Sequence, residues 1–187
     1  MKAAVYTQYG QPEVLQVKEV GKPIPKNNEI LIKVNATAVN SGDVRLRKAD
    51  PFAVRFIFGL LKPKINILGT VFSGEVESAG KDVKKFRVGD QVFGHTDMIF
   101  GAYAEYKCIP EDGSLALKPA NITHAEAATI PFGGVTAWHF IKKANIQSGQ
   151  KVLIAGASGA VGSAAVQLAK SLGAEVTAVC STGNMAL

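Results

Sequence analysis

Between residues 151 and 162 the chain reads Lys-Val-Leu-Ile-Ala-Gly-Ala-Ser-Gly-Ala-Val-Gly, and no other stretch leaves so few ways to fold. Lys151 to Ala155 is a short apolar run with a β-branched bias, set off by the turn pair Ser148-Gly149. It predicts a parallel strand buried on both faces. Glycines follow at 156, 159 and 162. Beyond them Val161, Ala164, Ala165, Leu168 and Leu172 recur at helical spacing, while Ser163, Gln167, Lys170 and Ser171 take the opposite side. Gly173 stands where a C-terminal glycine stops a helix, and Glu175 to Cys180 predicts a second strand.

The chemistry explains that spacing. A diphosphate at a helix N-terminus is held by free N–H groups and the positive end of the helix dipole. It must come close to the backbone, and a Cβ at the approach positions would hold it off. Gly159 and Gly162 match the second and third glycines of the dinucleotide fingerprint; Ala157 replaces the first, with Gly156 one residue earlier. Glycine triplets are common in ordinary turns, so the weight rests on the strand before and the amphipathic helix after. Ser158, Gly159, Ala160, Val161 and Gly162 are therefore the predicted cofactor-binding turn. The second strand ends in Ser181-Thr182, hydroxyls where a carboxylate would bind the ribose 2′-hydroxyl of NAD and repel a 2′-phosphate. That favours NADPH over NADH, although no Arg or Lys follows.

Hydrophobic residues make up 47% of the chain and charged residues 19%, a balance that suits a soluble protein with a sizeable core. No apolar run approaches a membrane span, and Met1 to Tyr6 lacks a signal-peptide core; the expected location is the cytoplasm, with no membrane partner. Cys108 and Cys180 lie on different segments and read as two buried thiols of a reducing compartment. The net charge of +6 comes from scattered small groups (Arg45, Arg47, Lys48; Lys81, Lys84, Lys85, Arg87; Lys142, Lys143) that read as solvated surface. No interleaved aromatics accompany them, so no nucleic-acid partner is expected.

Residues 1 to about 120 carry many short strand-like runs: Gln16 to Val20, Ile30 to Val34, Thr70 to Val76, Val83 to Phe93 and Ala102 to Ile109. Their spacing predicts a β-barrel or sandwich. Val44 to Ile67, with Phe52, Val54, Phe56, Ile57, Phe58, Leu60 and Leu61, reads either as a short helix packed as core or as a hydrophobic flap over a cleft. From Asn121 the character changes. Thr123-His124-Ala125-Glu126 is a capping box, Pro131 is expected to end that helix, and Val135, Trp138, Ile141 and Ala144 mark a second one. The domain boundary falls near residue 122, giving 1–122 and 123–187.

In this order the segments resemble the medium-chain dehydrogenase/reductase superfamily, and within it the zinc-free quinone oxidoreductases. The stretches that carry the resemblance are Ala38 to Asp43, Ile67 to Thr70, Val88 to Gly94, Gly101 to Tyr106, Gly133 to Ala137 and the glycine turn. The resemblance implies a β-rich GroES-like barrel followed by the first strand-helix-strand part of a doubly wound α/β (Rossmann) domain. Zinc members carry a cysteine and a Gly-His-Glu where this chain has Asn40, Ser41, Thr70 and Val71, and they carry a four-cysteine lobe that is absent here; His95, His124 and His139 lack partners at ligand spacing. No metal is expected. What remains is hydride transfer to an activated acceptor, a quinone or an α,β-unsaturated carbonyl. The resemblance places Asn40, Thr70 and Thr136 beside the nicotinamide, with Asp43 acting through hydrogen bonds or serving as a helix N-cap. A noncatalytic, crystallin-like nucleotide-binding relative is the competing class. A complete dinucleotide domain has about six strands and this chain supplies two, so it is expected to be part of a longer enzyme, to turn over poorly and bind NADPH weakly by itself, and either to self-associate through the open edge of Lys151 to Ala155 or to carry a disordered tail after Leu172.

Overall fold

A computed structural model describes residues 1–186. The chain divides into two compact units, Met1–Thr129 and Ile130–Leu187.

The first unit is built on an antiparallel five-stranded sheet in the order β6-β3-β4-β5-β7. Its strands are β3 (Glu29–Ala36), β4 (Val71–Ala79), β5 (Gln91–His95), β6 (Tyr106–Pro110) and β7 (Leu115–Leu117). Alternation along β3 and β4 sends Ile30, Ile32, Phe72 and Val76 into one core with Val92, Ala102 and Ile109. A separate ribbon of β1 (Lys2–Val5) and β2 (Gln16–Glu19) makes single bridges to the segments that precede β6 and β4, Ala3 to Ala104 and Val5 to Ile67. Beneath the ribbon a second, smaller core forms from Tyr6, Leu68 and Phe100, with Leu46, Phe58, Ile65 and Tyr103 packed against it.

Three expectations for this unit need correction. Val83 to Val88 is not strand; the ladder resumes only at Gln91, because the Glu111 carboxylate takes the N–H groups of Lys84 and Lys85 at 2.8 Å each. The stretch after Val44 is two helices, α1 (Ser41–Lys48) and α2 (Val54–Phe58), and most of its large apolar side chains are not core. Phe58 packs on Phe100, whereas Phe52, Phe56, Ile57, Leu60 and Leu61 are exposed. Arg47 is buried rather than solvated, its guanidinium donating to the Gly10 carbonyl at 2.6 Å.

The Thr123/Glu126 capping box forms, the carboxylate accepting from Thr123 N at 2.8 Å and the Thr123 hydroxyl from Glu126 N at 3.2 Å. It opens α3 (His124–Ile130). The division between the units falls at the end of α3, beyond the composition change at residue 122, since the start of the helix is tied to the sheet: His124 Nδ1 lies 2.8 Å from the buried Ser73 hydroxyl of β4. Pro131 does not end the helical path. It opens a π-helical turn, Pro131–Val135, so the helix changes its winding where the proline N–H is missing. The path then runs into α4 (Thr136–Lys143).

In the second unit β8 (Lys151–Ala155), α5 (Ala160–Ser171) and β9 (Glu175–Val179) form the expected strand-helix-strand, with β8 and β9 parallel and in continuous register. After Leu172 the chain forms β9 and then a 3₁₀ turn over Thr182–Asn184. The end of α5 is the expected glycine stop: Gly173 N bonds the Lys170 carbonyl at 2.9 Å and Ala174 N that of Ala169 at 3.1 Å, a Schellman pair. Burial on both faces of β8 is not observed. Val152 and Ile154 face α5, but Leu153, on the other face, is 69% exposed, because no second layer covers that side among the described residues. On α4 the buried positions are Ala137 and Ile141, whereas Trp138, and Val135 just before the helix, face outward.

Phe72 is fully buried at the centre of β4. Phe72→Ala should destabilise the chain by about 3–5 kcal/mol in urea unfolding, whereas Leu61→Ala, at a position 89% exposed, should stay within about 0.5 kcal/mol.

Candidate functional site

The sequence-predicted residues of the first unit come together around the start of α1. Asn40, not Asp43, is the N-cap: its Oδ1 accepts from Gly42 N at 2.9 Å and Asp43 N at 3.2 Å. Asp43 is the third residue of the helix and closes the capping box by accepting from Asn40 N at 3.3 Å. With Oδ1 held by two backbone donors, the Asn40 amide has one orientation, and its Nδ2 donates to the Thr70 hydroxyl at 2.5 Å. Thr70 Oγ1 accepts that bond, so its own hydrogen is left to donate elsewhere. Asn40 is half-buried and Thr70 is almost fully buried.

Thr70 is held as firmly as Asn40. Its neighbour Gly69 adopts φ +98°, and a Cβ there would stand 2.6 Å from Tyr103 Cδ1 and 2.7 Å from Tyr103 N. Only glycine fits. The Gly69 N–H donates to Asp43 Oδ1 at 3.2 Å, and its carbonyl accepts from the Thr96 hydroxyl and Ala102 N, each at 3.2 Å. The other Asp43 oxygen accepts from the Tyr103 phenol at 2.8 Å. Asp43 is 2% exposed. Burial pushes its carboxyl above the usual range, and the bonds from Tyr103, Asn40 and Gly69 work against that rise. The same burial pushes the Tyr103 phenol far above its ordinary value, so it stays a donor. Nothing local to residues 40–43 or 67–70 points to Tyr103; the Gly101-Ala102-Tyr103-Ala104-Glu105-Tyr106 stretch was legible as a motif, but without a role for its first tyrosine.

In the second unit the glycine turn has the shape a diphosphate needs. Gly159 is the N-cap of α5 and, having no side chain, leaves the helix start uncapped. The turn and helix meet so closely that a Cβ on Gly162 would lie 2.1 Å from the Gly156 carbonyl oxygen. Those two features, an open helix N-terminus and a backbone approach only glycine permits, fit a dinucleotide diphosphate. Beside the turn lies a cleft of about 550 Å³ lined by Ala157, Ser158, Gln167, Cys180, Asn184 and Met185. Ser158 accepts from Asn184 Nδ2 at 3.0 Å, which ties the turn after β9 to the glycine turn; Asn184 was not among the predicted residues. Ala160 and Val161 form the first turn of α5, and Ser181 and Thr182 open the short 3₁₀ turn that follows β9, both exposed. Thr136 begins α4, and its hydroxyl donates to the Phe132 carbonyl at 2.7 Å.

The histidines are separate from one another in role: His124 on Ser73, His95 beside Asp97 at 3.3 Å, and His139 exposed against Phe140. Cys108 and Cys180 are free and half-buried. Among the described residues no group of three or more His, Cys, Asp and Glu could hold a metal ion, and no helix is long and apolar enough to cross a membrane.

Residues 26–120 match the alcohol dehydrogenase GroES-like domain. The chain is 36% identical to a 2-methylene-furan-3-one reductase of Solanum lycopersicum, an alignment that covers all of this chain and 49% of the relative. The quinone oxidoreductase structure of Coxiella burnetii superposes with a TM-score of 0.88 at 35% identity, covering all of this chain and 58% of that one. The Escherichia coli quinone oxidoreductase complexed with NADPH gives 0.82 at 30%, covering 98% and 54%. The chain spans about half the length of the curated relatives it matches. An alcohol dehydrogenase GroES-like domain with a strand-glycine turn-helix-strand after it, in a chain that aligns throughout with quinone and enone reductases, belongs to the medium-chain dehydrogenase/reductase superfamily.

Proposed function

We propose that this chain is the acceptor-binding and diphosphate-binding part of an NADPH-dependent, zinc-free oxidoreductase that reduces quinones or α,β-unsaturated carbonyls. In this reading residues 1–122 carry the acceptor chemistry and residues 123–187 begin the dinucleotide domain. The names of the relatives support the reaction class, and the NADPH complex of one of them supports the cofactor.

The observation that carries the reading is the bond from Asn40 Nδ2 to Thr70 Oγ1, at the two positions where zinc members carry metal ligands. Here they form a pair of fixed neutral donors: the second Asn40 N–H and the Thr70 hydroxyl hydrogen. Two preorganised donors aimed at one carbonyl oxygen stabilise the charge that develops there when the conjugated system accepts a hydride. Donors of this strength suit an acceptor that is already electrophilic, which is the class named. Reduced nicotinamide, when bound, supplies the hydride. The uncapped first turn of α5 holds the diphosphate, with Ser158, Gly159, Ala160, Val161 and Gly162 as its cradle. Ser181 and Thr182 offer hydroxyls where a carboxylate would repel a 2′-phosphate, which is the basis for NADPH over NADH.

Spectrophotometric oxidation of NADPH by the longer enzyme that contains this chain, with a panel of small quinones and enones, tests the reading, and dinucleotide binding by that enzyme without turnover of any acceptor would refute it in favour of a noncatalytic relative. Thr70→Val, which keeps the shape and removes the hydroxyl, should lower kcat by roughly 10²-fold, within the range for loss of one such donor, with little change in KM for NADPH. Equal kcat in wild type and Thr70→Val would remove Thr70 from the reaction. For the cofactor, Ser181→Asp should shift the preference from NADPH toward NADH by about tenfold or more, corresponding to the ~1.4 kcal/mol that a tenfold ratio represents. Equal kinetics with both cofactors before the change would refute the role of Ser181.

A further inference from the structure

We infer that Tyr103 is a positioning residue for the acceptor site: its phenol holds the Asp43 carboxylate, and through Asp43 it sets the Asn40 amide and the Gly69-Thr70 peptide in their mutual geometry. The kinetic consequence of this inference rests on the oxidoreductase reading above; the structural coupling does not.

The argument starts from the two oxygens of one buried carboxylate. Oδ1 takes the Gly69 N–H at 3.2 Å; Oδ2 takes the Asn40 N–H at 3.3 Å and the Tyr103 hydroxyl at 2.8 Å. A carboxylate with so little exposure must be satisfied by hydrogen bonds if it is to stay ionised. The phenol makes the shortest of the three, and it is the one side-chain donor among them. The tyrosine is itself anchored by backbone on both sides: its N–H donates to the Leu68 carbonyl at 3.0 Å, and its carbonyl accepts from Ala4 N at 2.8 Å. Tyr103 therefore ties the β1 ribbon and the 68–70 segment to the N-terminus of α1. Of the three segments meeting at Asp43, two carry the Asn40–Thr70 donor pair, and the third carries Tyr103.

Space filling alone does not account for the residue. The ring edge at Cδ1 packs over Gly69, and phenylalanine would do that equally well. The hydroxyl is what reaches the carboxylate. Without it Asp43 keeps two longer backbone bonds, the ionised form loses support, and protonation adds a hydrogen where the Asn40 or Gly69 N–H now points. The N-cap then loosens, and with it the aim of the Asn40 amide at Thr70. The titratable groups that face Asp43 are Tyr6, Tyr103 and His95. Tyr6 is pushed up to about 12, chiefly by burial, and stays neutral, while a protonated His95 favours the Asp43 anion. Since the Tyr103 bond lowers the Asp43 pKa, its removal moves the titration of Asp43 to higher pH.

The test compares wild type, Tyr103→Phe, Asp43→Asn and the double variant by two readouts. The first is nuclear magnetic resonance of the Asp43 carboxyl titration and of the Asn40 side-chain amide protons. Tyr103→Phe should shift the Asp43 midpoint upward and speed Asn40 amide exchange about tenfold or more. The second is kinetics of the longer enzyme that contains this chain, wild type and variants, with NADPH and a small quinone. There Tyr103→Phe should lower kcat about tenfold, a modest share of what misaligning a reacting group costs, leave KM for NADPH unchanged, and move the acid limb of the kcat profile to higher pH. Because Tyr103 acts through Asp43, adding Tyr103→Phe to Asp43→Asn should lower kcat no further. An unmoved Asp43 titration and unmoved Asn40 exchange in Tyr103→Phe would overturn the inference, as would multiplicative loss in the double variant. If wild type reduces no quinone or enone, the proposed function fails, and the resonance readout alone decides the coupling.

Discussion

The Asp43 carboxylate is shut away from water, no cation among the described residues bonds it, and the first unit depends on how that charge is satisfied. Moving a carboxylate out of water costs several kcal/mol even after relaxation, and a partial set of hydrogen bonds does not offset it. Donors from residues 40, 69 and 103 must be in place together. Each segment therefore has a reason to hold its position only when the other two hold theirs. Gly69 leaves room for the Tyr103 ring, which packs in turn against the small core of Tyr6, Leu68 and Phe100.

The glycine turn meets a related demand by a different route. At α1 the helix start is closed by a side chain, so its N–H groups are spent inside the protein and the side-chain donors beside it are left to act. At α5 the N-cap is glycine, the first-turn N–H groups meet no capping side chain, and the backbone there is left open. One helix N-terminus is closed by a side chain and the other is left uncapped. Their first residues announce the difference: an asparagine three places before an aspartate, against a glycine three places before another glycine.

Two patches of exposed apolar surface lie outside the cores of their units. Leu153 and Val179 lie on the bare face of the β8–β9 sheet, and Phe52, Phe56, Ile57, Leu60 and Leu61 lie along and after α2. In both cases apolar composition alone would place these residues inside. Burial requires an opposing layer, and composition carries no information on whether one is present.

The amino-acid sequence by itself determined what is encoded over a few neighbouring residues: the strand, turn, helix and strand of 151–179, the capping box at Thr123 and Glu126, the Schellman stop at Gly173, and the β-rich character of residues 1–120. These rest on periodicity, caps and glycine geometry, all local. Only the tertiary structure decided what depends on distant partners. The Asp43 carboxylate, besides closing the local capping box, takes donors 26 and 60 residues away. Val83 to Val88 left the ladder because a carboxylate at 111 captured its N–H groups. Tyr103 gained its role from chain closure that no window of sequence contains. A hydrogen bond to a buried charge is chosen by which donor the folded chain brings within reach, and that choice belongs to the whole fold.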